Sequence, residues 1–327
     1  MHAWSGILAG RRPSLSIELT KECPLRCPGC YAYDPAHLGD SGINLRQLVD
    51  HKEDALVQGV LRLVDQYRPL HLSLVGGDPL VRYRELELLL PELDRRGIHV
   101  QIVTSAFRAI PRHWAGLHRL NLVVSVDGLQ PEHDARRKPA TYERILKNLE
   151  GARATIHCTI TGQIASRENY LEDFLRFWSG RPEAKKVWMS IFTPQQGAEG
   201  PEILTREVRS TVISELLRLR PLYPILDMHE SCLKEFRNPP KSPRECIFAR
   251  TTHTVSADLK TKITPCQFGG KPDCSRCGCI ASMGLAAVGH HKVVGNITAG
   301  QLFMISDRVG RGIQKLLDQP KERITVR

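Results

Sequence analysis

Nowhere does this 327-residue chain approach the ~20 consecutive apolar residues that cross a membrane, so no spanning helix is expected. Its opening stretch, Met1 to Gly10, is too short for the apolar region of a secretion signal. Only about fourteen residues precede the first strand-like run, so no separate leader-peptide-binding domain is expected there. Concentrated charge is missing as well. The net charge is +11, yet Arg11-Arg12, Arg136-Arg137-Lys138, Lys185-Lys186, Lys260 and Lys262 belong to separate segments, which reads as solvated faces and argues against a nucleic-acid partner. With 41% hydrophobic and 25% charged residues, the composition is that of a soluble globular protein. The length suits one large α/β domain plus an appendage. Ten cysteines without a secretion signal imply a reducing compartment, the cytoplasm, where thiols serve metals or catalysis.

One further absence is more specific. Cys23-Pro24-Leu25-Arg26-Cys27-Pro28-Gly29-Cys30 has C-x3-C-x2-C spacing, one ligand short of the four that close a tetrahedral zinc site or a fully ligated iron-sulfur cluster. Three thiolates on one loop can wrap three corners of a cubane and leave one iron open to a small molecule. A zinc knuckle completed by a distant His or Cys is the competing reading. A second group, Cys246, Cys266, Cys274, Cys277 and Cys279, follows a strand-like run from Val255 to Cys266 and also has metal-ligand spacing. Five thiols suffice for one closed cluster with one to spare, and Cys232 is a candidate sixth ligand. A zinc ribbon uses the same donors. Cys158, inside a strand pattern, reads as a buried inert thiol, and His290-His291 as a surface pair.

Between the two groups the chain has a βα rhythm. Strands are expected at Leu15 to Leu19, His71 to Val75, His99 to Val103, Leu120 to Val126, Thr155 to Ile160 and Val187 to Phe192. Helices are expected at Leu45 to Gln66, Tyr83 to Arg95, Tyr142 to Leu149, Tyr170 to Trp178 and Thr205 to Leu219, with a short one from Ile313 to Leu317. On the first helix Leu48, Val49, Leu56, Val60 and Val64 should be buried. The expected fold is α/β, a partial (β/α)6 parallel barrel over residues 1–220, followed by a cysteine-rich region at 221–327. Functional residues should lie at the C-terminal ends of the strands.

The three-cysteine loop, followed one βα unit later by Gly76-Gly77-Asp78-Pro79, resembles the radical S-adenosylmethionine (radical SAM) enzyme superfamily. In that family the resemblance makes Cys23, Cys27 and Cys30 ligands of three irons of a [4Fe-4S] cluster, with S-adenosylmethionine on the fourth. Gly76, Gly77, Asp78 and Pro79 resemble the Gly-Gly-Glu-Pro element that holds the methionine amino group, with Asp for Glu. Val103-Thr104-Ser105-Ala106 partly matches a Thr-Asn-Gly-like turn near the substrate. Ser125-Val126-Asp127-Gly128, then His133-Asp134 and Arg136, resemble Ser-Leu-Asp-Gly and His-Asp-x-x-Arg elements. They imply that Ser125 bonds ribose or carboxylate and that Arg136 offsets the ligand carboxylate. Thr159, Thr161, Gln163, Arg167 and Asn169 are further candidates to reach the nucleoside.

The distal cysteines resemble the SPASM and twitch auxiliary-cluster regions, implying a second [4Fe-4S] cluster. The implied activity is reductive cleavage of S-adenosylmethionine to a 5′-deoxyadenosyl radical that takes hydrogen from a peptide or small molecule. An electron donor such as a flavodoxin or ferredoxin is the expected partner. A zinc-structured, non-enzymatic interaction protein is the alternative.

Overall fold

The computed structural model describes residues 2–39, 43–139 and 141–317. Seven strands form one parallel sheet: β1 (Ser14–Glu18), β2 (His71–Val75), β3 (His99–Thr104), β4 (Leu120–Ser125), β5 (Ala154–Ile160), β6 (Ala184–Ile191) and β7 (Thr252–Val255). Their spatial order is β6-β5-β4-β3-β2-β1-β7. Each strand from β1 to β5 pairs in parallel with the next in sequence, as successive βαβ units do.

Side-chain alternation sets the two faces of the sheet. Leu15, Ile17 and Leu19 of the first unit, and Ile156, Cys158 and Ile160 on β5, enter the main apolar core. There they meet Leu56, Val60 and Val64 from the helix Glu53–Tyr67, Leu86, Leu89 and Leu93 from Tyr83–Arg95, and Phe174 and Trp178 from Tyr170–Ser179. The opposite face is polar. Gln101, Asn121 and Thr155 form a hydrogen-bonded row across β3, β4 and β5 at 3.2 and 2.9 Å. Cys158 is 1% exposed within the core, as its strand position implies.

Three elements differ from expectation. β7 lies beyond residue 220 and pairs with β1, Ser14 opposite Thr252, so the cysteine-rich region supplies the last strand of the sheet. Four residues, Thr-His-Thr-Val, are too few and too polar to show a strand period.

The helix expected from Leu45 is a 3-10 turn at Leu45–Gln47, and the α-helix begins only at Glu53. Leu48 packs at the edge of a small separate cluster, whereas Val49 is 67% exposed. The reason is Asp50, which accepts hydrogen bonds from the Thr20 hydroxyl and the Lys21 amide and pairs with Arg82, so this stretch braces the cysteine loop.

At the far end, the helix seen in sequence at Ile313 to Leu317 is part of Ala299–Leu317. It packs on an N-terminal helix, His2–Leu8, so closely that a Cβ on Gly310 would stand 2.0 Å from the Ile7 carbonyl oxygen.

Candidate metal and cofactor site

Cys23, Cys27 and Cys30 lie on the loop leaving the C-terminal end of β1, all with free thiols and all partly exposed. Burial raises each thiol, Cys23 to about 12, and the neighbouring thiols add to the rise for Cys23, so the three sulfurs share one electrostatic environment. Metal binding must displace those protons, which is ordinary for thiolate sites. The loop is braced from several sides. The Tyr33 hydroxyl donates to the Lys21 carbonyl at 2.8 Å, and the Lys21 ammonium to the Leu48 carbonyl at 2.7 Å. Glu22 pairs with Arg82 at 3.0 Å.

The glycine turn after β2 is fastened to this loop. Gly76 and Gly77 have φ of +77° and +49°, and the Asp78 amide donates to the Glu22 carbonyl at 2.9 Å. The glycines thus bring the turn against the protein's own cysteine loop. Asp78 is 2% exposed and turned inward. It accepts from the Thr104 hydroxyl at 2.6 Å, the Ser105 amide and hydroxyl at 2.8 and 2.5 Å, and the Leu80 amide at 3.0 Å. Burial raises its carboxyl, and these donors oppose the rise. Its acceptor capacity is engaged by the end of β3 and by the 3-10 turn Pro79–Arg82, where Pro79 is buried. Thr104 and Ser105 are correspondingly committed to Asp78.

At the end of β4 the Ser125 hydroxyl makes no hydrogen bond to another described residue, and Ser125 lies in register with His157 on β5. His157 bonds the Ser190 hydroxyl at 2.8 Å and is lowered to about 4 by burial, with Arg137 nearby.

Asp127 is 1% exposed and holds two arginines. Arg136 contacts it through Nη1 and Glu202 through Nε at 2.9 Å. Arg137 contacts it through Nε at 2.9 Å, and its two terminal nitrogens bond no other described residue. Counted from His133, the His-Asp-x-x-Arg spacing falls on Arg137, whose charge is felt by both Cys27 and Cys30, whereas that of Arg136 is felt by Cys27 and more weakly. The geometry therefore turns attention from Arg136, already paired with two carboxylates, to its neighbour.

His133 is buried, accepts from the Asp127 amide at 3.2 Å and bonds Thr141 at 3.1 Å. Asp134 accepts from the Thr141 and Tyr142 amides at the start of the next helix. Arg167 pairs with Glu132, and Asn169 begins the helix Tyr170–Ser179 in a left-handed conformation. The Thr159 amide donates to Asp127 at 3.0 Å. No sequence signal marked Glu202 or Phe192. Both fill the space beside Gly29, where a Cβ would stand 2.1 Å from Glu202 Oε2 and 3.3 Å from the Phe192 ring.

The distal cysteines converge. Cys246, Cys266, Cys274, Cys277 and Cys279 all line one open-mouthed cavity, walled by Thr193, Phe248, Phe268 and prolines. Burial raises Cys266 to about 12 and Cys274 to about 11, with the other thiols adding to each rise. The Cys274 to Cys279 segment is zipped to the end of β6: the Ile191 amide donates to the Gly278 carbonyl at 2.9 Å and the Gly278 amide to Thr193 at 2.9 Å. Arg209 fastens it from the other side, donating to the Arg276 and Cys277 carbonyls at 3.1 and 2.6 Å and to the Phe236 carbonyl. Cys232 is buried in the main core and does not line the cavity, so the structure separates it from the five. His290 is exposed and pairs with Glu235.

The donor sets fit iron-sulfur clusters in kind, since thiolates are their ligands. Among the described residues, no three His, Cys, Asp or Glu side chains are placed to hold a single metal ion. One zinc at ~2.3 Å from each sulfur needs the sulfurs within roughly 4 Å of each other.

Two cysteine sites are joined by a buried link. His37 is fully buried, with Nδ1 2.9 Å from the Phe268 carbonyl and Nε2 2.8 Å from Glu18, whose other oxygen accepts from the Ser256 hydroxyl at 2.5 Å. Burial lowers the His37 ring, but Glu18 outweighs it and the net direction is upward.

Residues 17–177 match the family model described as the Radical SAM superfamily. No curated protein matches the sequence. Among solved structures, the chain is similar to a histidine-tagged anSMEcpe with bound AdoMet, with 13% identity, TM-score 0.57, and coverage of 93% of this chain and 97% of that one. A second anSMEcpe structure, with bound AdoMet and Kp18Cys peptide, has 16% identity and TM-score 0.54 over 90% and 82% of the two chains. Streptococcus suis SuiB bound to precursor peptide SuiA has 16% identity and TM-score 0.51, covering 76% of this chain and 58% of that one. The chain thus spans under two thirds of SuiB's length. These likenesses establish the fold, the partial parallel barrel. No helix among the described residues is long and apolar enough to cross a membrane.

Proposed function

We propose that this chain is a radical SAM enzyme with a [4Fe-4S] cluster on Cys23, Cys27 and Cys30 and a second iron-sulfur group among Cys246, Cys266, Cys274, Cys277 and Cys279. The observation that carries the reading is the three-thiol loop at the C-terminal end of β1, with the Gly76-Gly77 turn bonded to it and Arg137 beside it. When bound, the open cluster and S-adenosylmethionine supply reductive C–S cleavage and a hydrogen-abstracting 5′-deoxyadenosyl group.

The protein's own contribution is placement. Gly76, Gly77 and Pro79 shape the turn over the loop, while Asp78 holds that turn to β3 from behind. Ser125 offers a free hydroxyl, and Arg137 offers two N–H groups suited to a carboxylate. Arg136 keeps Asp127 and Glu202 in place.

A peptide is the favoured substrate class over a small metabolite, supported by the peptides in the SuiB and anSMEcpe structures. An external one-electron donor of the flavodoxin or ferredoxin kind completes the cycle.

Anaerobic reconstitution with iron and sulfide counts, then assay of 5′-deoxyadenosine release with dithionite, tests the proposal. Roughly eight irons per chain and release of 5′-deoxyadenosine are expected. Stoichiometric zinc with neither iron nor cleavage would overturn it.

A further inference from the structure

We propose that Glu18 and His37 form a clamp that fastens the five-thiol cavity to the loop of Cys23, Cys27 and Cys30. His37 lies on that same loop, beyond Cys30, and both its ring nitrogens are engaged. A carbonyl only accepts, so His37 Nδ1 carries hydrogen and donates to Phe268. Glu18, on β1, takes the other nitrogen and the Ser256 hydroxyl. Four separate stretches of chain therefore meet at two side chains that are 0% and 1% exposed.

The far end of the clamp is the cavity wall. Phe268 lines the cavity two residues beyond Cys266. Its ring meets Tyr31, the residue after Cys30, edge-on with centroids 5.3 Å apart and planes at 87°. Gly269 lies directly on the loop: a Cβ there would stand 1.9 Å from the His37 carbonyl oxygen. Gly270 similarly meets Ala36. Cys266 is thus held in register with Cys30 by contacts that involve neither sulfur, which makes Glu18 and His37 positioning residues. Removing either leaves the other buried without its partner, the costly way to break such a pair.

The coupling has a direction. Cys23 to Cys30 are also braced by Asp50, Arg82, Tyr33 and the Gly77 turn, none of which depends on His37. Between Cys266 and Gly270 the Phe268 carbonyl has His37 as its partner, and the segment's other side-chain bonds, from Gln195 to the Gly269 carbonyl and from Gln267 to Cys279, are long at 3.5 Å. Loss of the clamp should therefore release the second site and spare the first.

Two measurements on the full chain test this. Hydrogen–deuterium exchange of the metal-free protein needs no cluster. His37→Ala and Glu18→Gln should raise exchange of residues 263–270 at least tenfold and leave residues 20–30, and the separately fastened Cys274 to Cys279 segment, unchanged. The double variant Glu18→Gln/His37→Gln should recover much of the protection, because two amides can bond each other. The second measurement rests on the proposed metal reading: reconstituted His37→Ala should fall from roughly eight irons to roughly four. Its reduced first cluster should still change its EPR signal on adding S-adenosylmethionine.

Wild-type protection at 263–270 in His37→Ala, or retention of all the iron, overturns the clamp. So does a uniform loss of protection across the chain in both His37→Ala and the milder Ser256→Ala. If the wild-type protein itself takes up no iron, the metal reading fails, and the exchange arm still decides the clamp.

Discussion

Gly77 lies so close to Glu22 that a Cβ added to it would stand 2.2 Å from the Glu22 carbonyl oxygen. This contact joins the turn after β2 to the cysteine loop after β1, and it is backbone against backbone, which cannot yield by rotating a side chain. Gly77→Ala adds that clash to an unfavourable positive φ. The substitution should destabilise the chain by about 2 kcal/mol or more and displace the loop. Thermal unfolding checks the first. Lost iron uptake with Cys277 still protected from alkylation checks the second.

Asp127 makes stability depend on acid. Burial alone would raise its carboxyl, but Arg137 and Arg136 outweigh it and hold it well below the ordinary carboxylate range. A depressed folded-state value means that the stabilisation is present above about pH 4 and is lost as pH falls through the folded value. Asp127→Asn should lose about 3–5 kcal/mol at pH 7, as expected for breaking a buried ion pair. Denaturant melts between pH 7 and 3 should show a flatter acid limb for the variant; parallel limbs would refute the assignment.

The two cysteine groups should separate in function. Cys27→Ala should abolish release of 5′-deoxyadenosine, whereas Cys277→Ala should retain the first cluster and its cleavage of S-adenosylmethionine while losing substrate turnover. Iron counts and product chromatography distinguish these outcomes. Cleavage surviving in Cys27→Ala would remove that thiol from the first site.

Arg209 should matter to the second site without touching a sulfur. Its guanidinium serves the Phe236, Arg276 and Cys277 carbonyls together. Arg209→Ala removes charge-assisted bonds and should cost about 1.5–3 kcal/mol. Faster alkylation of Cys274 and Cys277, with Cys23 unchanged, is the expected readout by mass spectrometry.

Arg137 should outrank its neighbour in holding S-adenosylmethionine, because Arg136 is already committed to two carboxylates. Arg137→Lys keeps the charge but loses the fork, and should weaken binding roughly tenfold, about 1.4 kcal/mol. Equilibrium dialysis of the reconstituted protein measures it. An equal or larger loss in Arg136→Lys would reverse the assignment.

Periodicity and spacing alone determined six strands, the long helices between them, and both cysteine groups. Those signals are local: a strand shows itself by its apolar run, and a ligand loop by residues a few positions apart. The tertiary structure decided what distance in sequence conceals. It placed β7 beside β1, drew Asp50 out of the expected helix to brace Thr20 and Lys21, and set Arg137 by Cys27 while Arg136 went to Glu202. It also brought His37 to Phe268 and gathered five thiols, Cys246 to Cys279, around one cavity while leaving Cys232 in the core. Each of these depends on which partner a polar group finds when it is buried. That choice is made by the packing of elements far apart in the chain, where an unpaired buried donor or charge costs more than any local preference.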